Sequence, residues 1–221
     1  MDKVFQPNLT TELIISGAKS FLQQNKISTY LELGCGCGQI TLSNFEYIKK
    51  SKIVITDVSD LAITNAKENF QKLNYNIDAR VSNIYESIDE NEKFDLIISD
   101  VASISEIFLS QTNWYDGVSC ETGIDGLNLI SKVLNEAKNY IHSNGSIIYP
   151  VLSLSSENSL KKIISNNFKK TIVLNEKEWP FKFHNQNFIN KLDEYKNKGY
   201  INYKILSGLH VFKTSVFQSF I

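Results

Sequence analysis

Arginine is nearly missing from this chain. Of its 23 basic residues, all but Arg80 are lysine. A single arginine leaves few groups able to clamp phosphates in a bidentate fork. The net charge of −1 also argues against a protein that grips long nucleic acid by phosphate contacts alone. Beyond about residue 151 lysines outnumber acids, which suits either a weakly basic C-terminal face or a plain solvated one. Cysteine is scarce too, with Cys35 and Cys37 close together and Cys120 remote. Cys-x-Cys with no second pair and no nearby histidine is not zinc spacing, so no metal site is expected. The thiols read as small side chains in a reducing compartment. Long apolar runs are missing: none is long enough to span a bilayer, and the N-terminus has no apolar core of a signal peptide. A soluble, cytoplasmic protein with no membrane partner is expected. No repeat, low-complexity tract or Pro/Gly-rich linker interrupts the 221 residues, so one domain over 1–221 is expected, with ample apolar content for a core.

What is present centres on Tyr30-Leu31-Glu32-Leu33-Gly34-Cys35-Gly36-Cys37-Gly38. A short apolar strand, Thr29 to Leu33, runs into three glycines at alternate positions. Glycine there lets the backbone turn sharply and a ligand approach closely. The helix that follows, from Gln39, directs free N–H groups at the same place. The spacing is G-x-G-x-G rather than the G-x-G-x-x-G of dinucleotide enzymes. Glu32 stands two residues before the first glycine, where it suits an amino group and repels a pyrophosphate. About twenty residues on, Ile53-Val54-Ile55 leads to Asp57, a carboxylate placed for both ribose hydroxyls. A cationic amino acid plus a ribose, without phosphates, describes S-adenosylmethionine better than NAD.

The remaining pattern alternates helix and strand. Helices are expected at Leu9–Leu22 (capped by Thr10 or Thr11), Gln39–Lys49, Leu61–Leu73 (capped by Ser59 or Asp60), Gly126–Ile141, Ser156–Ile164 and Asn187–Lys198. Strands are expected at Lys52–Thr56, Ile77–Val81, Phe94–Ser99, Ser146–Leu152, Lys170–Leu174 and Lys204–Phe217, with Asp89–Glu92 a polar turn and Ser143-Asn144-Gly145 a helix stop. Residues 101–121 read as irregular, and a stretch that long is usually functional or mobile. This is an α/β chain with a doubly wound, mostly parallel seven-stranded sheet. The last strand is expected to run antiparallel, after a C-terminal helical insertion over 176–203 that serves as a lid.

These motifs together resemble the class I, Rossmann-like S-adenosylmethionine-dependent methyltransferases, and within them the HemK and small-domain group, over roughly residues 4–155. The resemblance rests on Glu32 to Gly38, on Thr56-Asp57-Val58-Ser59 with Ala62, Ala66 and Asn69, and on Val81-Ser82-Asn83-Ile84-Tyr85. It also rests on Phe94 to Ser99, on Gly123-Ile124-Asp125-Gly126-Leu127, and on the lead-in from Pro7 to Thr11-Glu12. It implies a cofactor site of Thr11, Glu32, Gly34, Cys35, Gly36, Gly38, Asp57, Val58, Asn83, Ile84 and Asp100. There Asp57 would hold the ribose and Val58 would pack on the adenine. Asn83 would reach the exocyclic amine, and residues 1–25 with Thr11 would close over the methionine end.

After the fourth strand the family carries Asn-Pro-Pro-Tyr, whose Asn and proline carbonyl accept from a planar NH₂ group. Here the residues are Asp100-Val101-Ala102-Ser103, so amide or adenine methylation does not carry over. Asp100 is the candidate catalytic residue, as an orienting acceptor or a base. Methyl transfer from a sulfonium leans mostly on positioning. Candidate acceptor-binding residues are Trp114, Tyr115, Trp179, Phe181 and His184; His210 is a weaker acid–base candidate. The expected function is methylation of nitrogen or oxygen on a small molecule. A protein or RNA acceptor is the alternative, and a cofactor-binding protein that no longer transfers methyl groups is another.

Overall fold

A computed structural model describes residues 4–109, 115, 118, 120–181 and 186–221. Its strands are β1 (Thr29–Leu33), β2 (Lys52–Asp57), β3 (Asp78–Val81), β4 (Phe94–Ser99), β5 (Ile141–Leu152), β6 (Lys170–Phe181), β7 (Lys204–Leu206) and β8 (Leu209–Phe220). The helices are α1 (Leu9–Leu22), α2 (Gln39–Ile48), α3 (Asp60–Gln71), α4 (Asn128–Glu136), α5 (Glu157–Asn167) and α6 (Gln186–Asn197). The strands form one sheet in the order β3-β2-β1-β4-β5-β8-β6, with β7 paired to β8. From β3 through β5 the pairing is parallel; β8 runs antiparallel to β5, β6 and β7. Crossover helices cover both faces, which is why the central strands are apolar almost throughout.

One apolar layer joins α1, α2 and α3 to the sheet through Ile14, Ile40, Phe70 and Ile55. The layer on the other face joins α4 and α5 to the sheet through Leu31, Ile130, Ile147 and Leu160. A third cluster packs α6 and the β7–β8 end against the segment after β4, through Ile104, Phe108, Phe188, Leu192, Tyr203 and Phe212. Tyr203 donates to Asp193 at 2.5 Å, and Lys196 reaches the Tyr203 carbonyl at 2.6 Å, so α6 is tied to the hairpin.

Register decides where the site falls. Leu33 of β1 pairs with Thr56 of β2 and with Ser99 of β4. The next residues, Gly34, Asp57 and Asp100, therefore leave the sheet side by side at its C-terminal edge. In open α/β sheets that edge is where ligands bind.

Several boundaries differ from the sequence expectation. Asn8, not Thr10 or Thr11, caps α1; its side chain accepts from the Thr10 and Thr11 N–H groups. The expected cap of α3 by Ser59 is observed. Helix α4 stops at Glu136, followed by a 3₁₀ turn, because Ile141 is drawn into pairing with Phe94. Ser143-Asn144-Gly145 therefore lies inside β5, at a register shift opposite Phe94 to Leu96. Strand β6 runs on to Phe181 because β8 zips along its whole length, so residues 176–181 are strand rather than insertion. The expected final strand is two strands, β7 and β8, joined by a tight turn at Ser207 and Gly208. Both turn residues have positive φ, as a two-residue hairpin of this hand requires. The sheet thus has eight strands among the described residues, not seven.

Gly126 pins the segment after β4. Its φ is +76°, and a Cβ there would lie 2.6 Å from the Ile104 carbonyl carbon and 2.7 Å from the Ser105 nitrogen. Gly126→Ala should cost roughly 2–4 kcal/mol, from positive-φ strain plus overpacking. Thermal unfolding of the variant checks this, and an unchanged midpoint would count against the close approach.

Candidate functional site

The glycine loop is built by three positive-φ residues, Gly34, Gly36 and Gly38, at +72°, +52° and +81°. It is tied on both sides. The Cys35 N–H donates to the Thr56 carbonyl at 2.9 Å, and the Gly36 N–H donates to Asp57 Oδ2 at 2.9 Å. Asn69 of α3 donates to the Cys37 carbonyl at 3.1 Å. A Cβ at Gly34 would press on Val101 at 3.2 Å, and one at Gly38 on Phe70 at 3.1 Å. At Gly36 the nearest atom is the Phe5 carbonyl oxygen at 3.6 Å, so that point of the loop keeps space above it.

A cavity of about 340 Å³ opens over this loop and crosses the C-terminal edge of the sheet. The structure brings Thr11, Glu32, Gly34, Cys35, Gly36, Asp57, Val58, Asn83, Ile84, Asp100, Tyr115 and Trp179 into its wall. Gly38 is not in the wall; it forms the left-handed N-cap of α2 below the loop. Phe181 is not in the wall either, and packs with the α6 cluster beside Trp179. His210 tilts against Tyr203, away from the wall, and burial holds its pKa below the usual value. Trp114 and His184 lie outside the described residues. The wall also includes residues that sequence reasoning did not assign to the site, among them Phe5, Cys120, Leu152 and Thr214. Phe5 and Tyr115 stack at 5.2 Å, joining the N-terminal lead-in to the segment after β4. Trp179 donates its indole N–H to the Thr214 hydroxyl at 3.1 Å.

Three carboxyl groups share this wall. Glu32 is fully buried on the α2 side of β1; its Oε2 accepts from the Thr41 hydroxyl, from the Thr41 N–H at 3.1 Å and from the Tyr30 hydroxyl at 3.4 Å. Its Oε1 is buried with no hydrogen-bond partner. Desolvation pushes Glu32 up to about 8, against the pull of the Thr41 hydroxyl. Asp100 follows β4, with its N–H on the Leu33 carbonyl at 3.1 Å. Desolvation pushes it up to about 7, while a 2.8 Å hydrogen bond from the Thr11 hydroxyl works the other way. Asp57 accepts from the Gly36 and Ser59 N–H groups, both at 2.9 Å, yet burial still raises its pKa. Burial also raises the Cys35 thiol well above its ordinary value, which makes it an inert packing group.

At the far edge of the cavity the backbone is strained. Ile84 has φ +58°, which a β-branched residue rarely adopts. It is held there by Ser82, whose hydroxyl donates to the Ile84 carbonyl at 3.1 Å and accepts the Ser87 N–H at 3.0 Å. Asn83 beside it donates to Glu86 Oε1 at 2.9 Å, and Val58 is 61% exposed across the mouth.

A family description, "Methyltransferase domain", matches residues 24–200. The chain belongs to this family. Among curated relatives it is 32% identical over 151 residues to a release factor glutamine methyltransferase of Borreliella burgdorferi, covering 66% of this chain and 52% of that protein. It is 28% identical over 131 residues to a ribosomal protein uL3 glutamine methyltransferase of Francisella tularensis, covering 57% of this chain and 41% of that protein. The chain thus spans about half the length, or less, of these two relatives. Among solved structures, a 16S rRNA methyltransferase of T. thermophilus in complex with AdoMet and guanosine superposes with a TM-score of 0.58. It is 12% identical and covers 95% of this chain and 43% of that one, a likeness of fold.

That structure is described with AdoMet, the methyl donor to which the sequence motifs of this chain point. The wall fits that ligand. An unpaired buried carboxyl oxygen beside a glycine cradle suits a cationic amino-acid end. No helix among the described residues is long and apolar enough to cross a membrane.

Glu32 gives a testable pH dependence. Its native pKa lies above the unfolded carboxyl value, so the stability it contributes is present below about pH 4 and is lost as pH rises through about 8. Glu32→Gln keeps an acceptor for Thr41 and should be more stable than the parent at pH 9, on the order of 2 kcal/mol. It should also bind S-adenosylmethionine more weakly. Denaturant unfolding at pH 5 and pH 9 checks the first point; a parent-minus-variant difference that does not change with pH would reject it.

Proposed function

We propose that this chain transfers the methyl group of S-adenosylmethionine to a nitrogen or oxygen docked beside Asp100, and that the acceptor group is carried by a protein. The observation that carries the reading is Asp100 itself. A half-buried carboxyl, hydrogen-bonded by Thr11, stands at the end of β4 in the same cavity as the glycine loop. In this reading Glu32 and the loop Gly34-Cys35-Gly36 take the methionine end, and Gly38 sets the turn beneath it. Asp57 takes the ribose hydroxyls, since each carboxylate oxygen still has a lone pair after its backbone bond. Val58, Asn83 and Ile84 frame the adenine. Thr11 and residues 4–25 close the methionine side. When bound, the cofactor supplies an electrophilic methyl on a good leaving group, so positioning provides much of the acceleration. Asp100 accepts the acceptor's N–H or O–H, aims its lone pair and, when ionised, takes the proton.

The relatives support a protein acceptor, because the two described above are named for glutamine in a release factor and in a ribosomal protein. The cavity supports a second reading, a small planar molecule: its wall includes Leu152, Trp179 and the Phe5–Tyr115 stack. Incubating the protein with methyl-labelled S-adenosylmethionine and the separated protein, RNA and small-molecule fractions of a bacterial extract tells them apart. Label in the protein fraction, absent with Asp57→Ala, is expected; label only in the small-molecule or RNA fraction would replace the proposal.

The role of Asp100 predicts a pH profile. A base works ionised, so the rate should climb as pH rises through about 7. Thr11→Val removes the hydrogen bond that favours the ionised form and should move this limb upward. Asp100→Asn should remove the limb near pH 7, leaving only the deprotonation of the acceptor itself. Single-turnover rates from pH 5.5 to 9 test it; a limb that stays near pH 7 in Asp100→Asn would assign the titration elsewhere.

A further inference from the structure

The charge of the cavity wall is one-sided. Glu32, Asp57 and Asp100 are its ionisable acids, and among the described residues no lysine, arginine or histidine lines it. In the proposed reading two of the acids are matched by the cofactor, Glu32 by its amino group and Asp57 by its ribose. Asp100 is left to face the acceptor. Its side chain receives one hydrogen bond among the described residues, from Thr11 to Oδ2. A desolvated, half-buried carboxyl with no cation beside it carries a cost that a ligand bringing a proton or positive charge removes. The same space is bordered by the rings of Phe5, Tyr115 and Trp179, whose faces attract cations. A carboxylate, a phosphate or an RNA backbone would enter against three acids and find no cationic side chain among the described residues. A neutral amide would be tolerated but would leave the charge of Asp100 unmatched.

We infer that the acceptor is a basic amine, docked as its ammonium ion on Asp100 inside this ring-bordered cavity. The reaction this permits balances simply. The ammonium proton passes to the Asp100 carboxylate, leaving a neutral amine beside a neutral carboxyl. Burial disfavours both charges, which brings the two proton affinities together. The nitrogen lone pair then forms the bond to the methyl carbon as that carbon's bond to sulfur breaks. The electron pair stays on sulfur, and the positive charge moves from sulfur to nitrogen. Asp100 returns its proton to solvent when the product leaves. For a protein acceptor this means a lysine side chain or an α-amino group. The reaction step rests on the methyltransferase reading; the binding preference does not.

The test separates the two. Benzylamine, benzamide and benzoate share one ring and differ in the charge of the polar group. Their binding to the full chain is measured by ligand-observed NMR at pH 8, with and without S-adenosylhomocysteine, whose own binding is followed by calorimetry. The expected order is benzylamine over benzamide by at least about tenfold, with benzoate weakest. Asp100→Asn should level the series and Asp100→Glu should restore it, each variant being shown folded by its thermal transition. Equal binding of the three, benzoate in first place, no detectable benzylamine binding, or an unaltered order in Asp100→Asn would each overturn the amine assignment. Amine preference in a protein that does not bind S-adenosylhomocysteine would uphold the cation site and sink the methyl-transfer reading instead.

Discussion

The parallel register of β1 against β2 and β4 is the constraint on which the rest depends. Leu33 is level with both Thr56 and Ser99, so Gly34, Asp57 and Asp100 emerge together. A slip of one residue would turn each strand's side chains to the other face and scatter the group. Two backbone hydrogen bonds lock the row: Asp100 N–H to the Leu33 carbonyl and Cys35 N–H to the Thr56 carbonyl. A third, from the Gly36 N–H to Asp57, fastens the loop to the neighbouring strand through a side chain that also belongs to the site. The scaffold and the binding surface are therefore the same atoms here, and a change at Asp57 acts on both.

Burying carboxyl groups in such a row works against stability. Glu32 is fully buried and Asp100 half-buried, and desolvation raises them to about 8 and about 7. Each repels the other, since the charge of Asp100 is one of the causes that raise Glu32. The hydroxyls of Thr41, Tyr30 and Thr11 offset part of the cost but leave Glu32 Oε1 unpaired. A ligand that binds only the folded chain recovers such a cost by mass action. A cationic ligand does so most directly. The strained φ of Ile84, held by Ser82 at the opposite rim, is a second local cost placed where the cavity needs a fixed edge.

The parallel half of the fold was legible in the sequence. The boundaries of β1, β2 and β4 lie within a residue of the expectation, since buried strands read as short apolar runs between turn signals. The glycine loop, Asp57 and Asp100 follow from them. The antiparallel half was less legible. Strand β6 has exposed charges at Glu176, Lys177 and Glu178, and its length comes from pairing with a strand some thirty residues on, a tertiary effect that no local period carries. The Ser207-Gly208 turn did have a signal, a Ser-Gly dipeptide between two β-prone runs. Thr214 and Leu152 had none: they reach the wall only because β8 pairs back onto β5 at that level.

That antiparallel half also explains how the acceptor end differs from the cofactor end. The cofactor side is made by strand ends and a glycine loop, with tight tolerances at Gly34 and Gly38. Beside Asp100, the family's rigid prolines are replaced by Val101 and Ala102, yet the chain stays seated because Val101 packs directly over Gly34. A β-branched side chain has few rotamers and so restores some of the lost stiffness. The aromatic platform moves as well. Where the family has a tyrosine, Ser103 is small and buried, and the rings come instead from Phe5, Tyr115 and Trp179. Trp179 stands on β6, three strands across from Asp100 in the sheet order. A space lined by these apolar walls, with an acid at Asp100, fits a group that leads with its positive end.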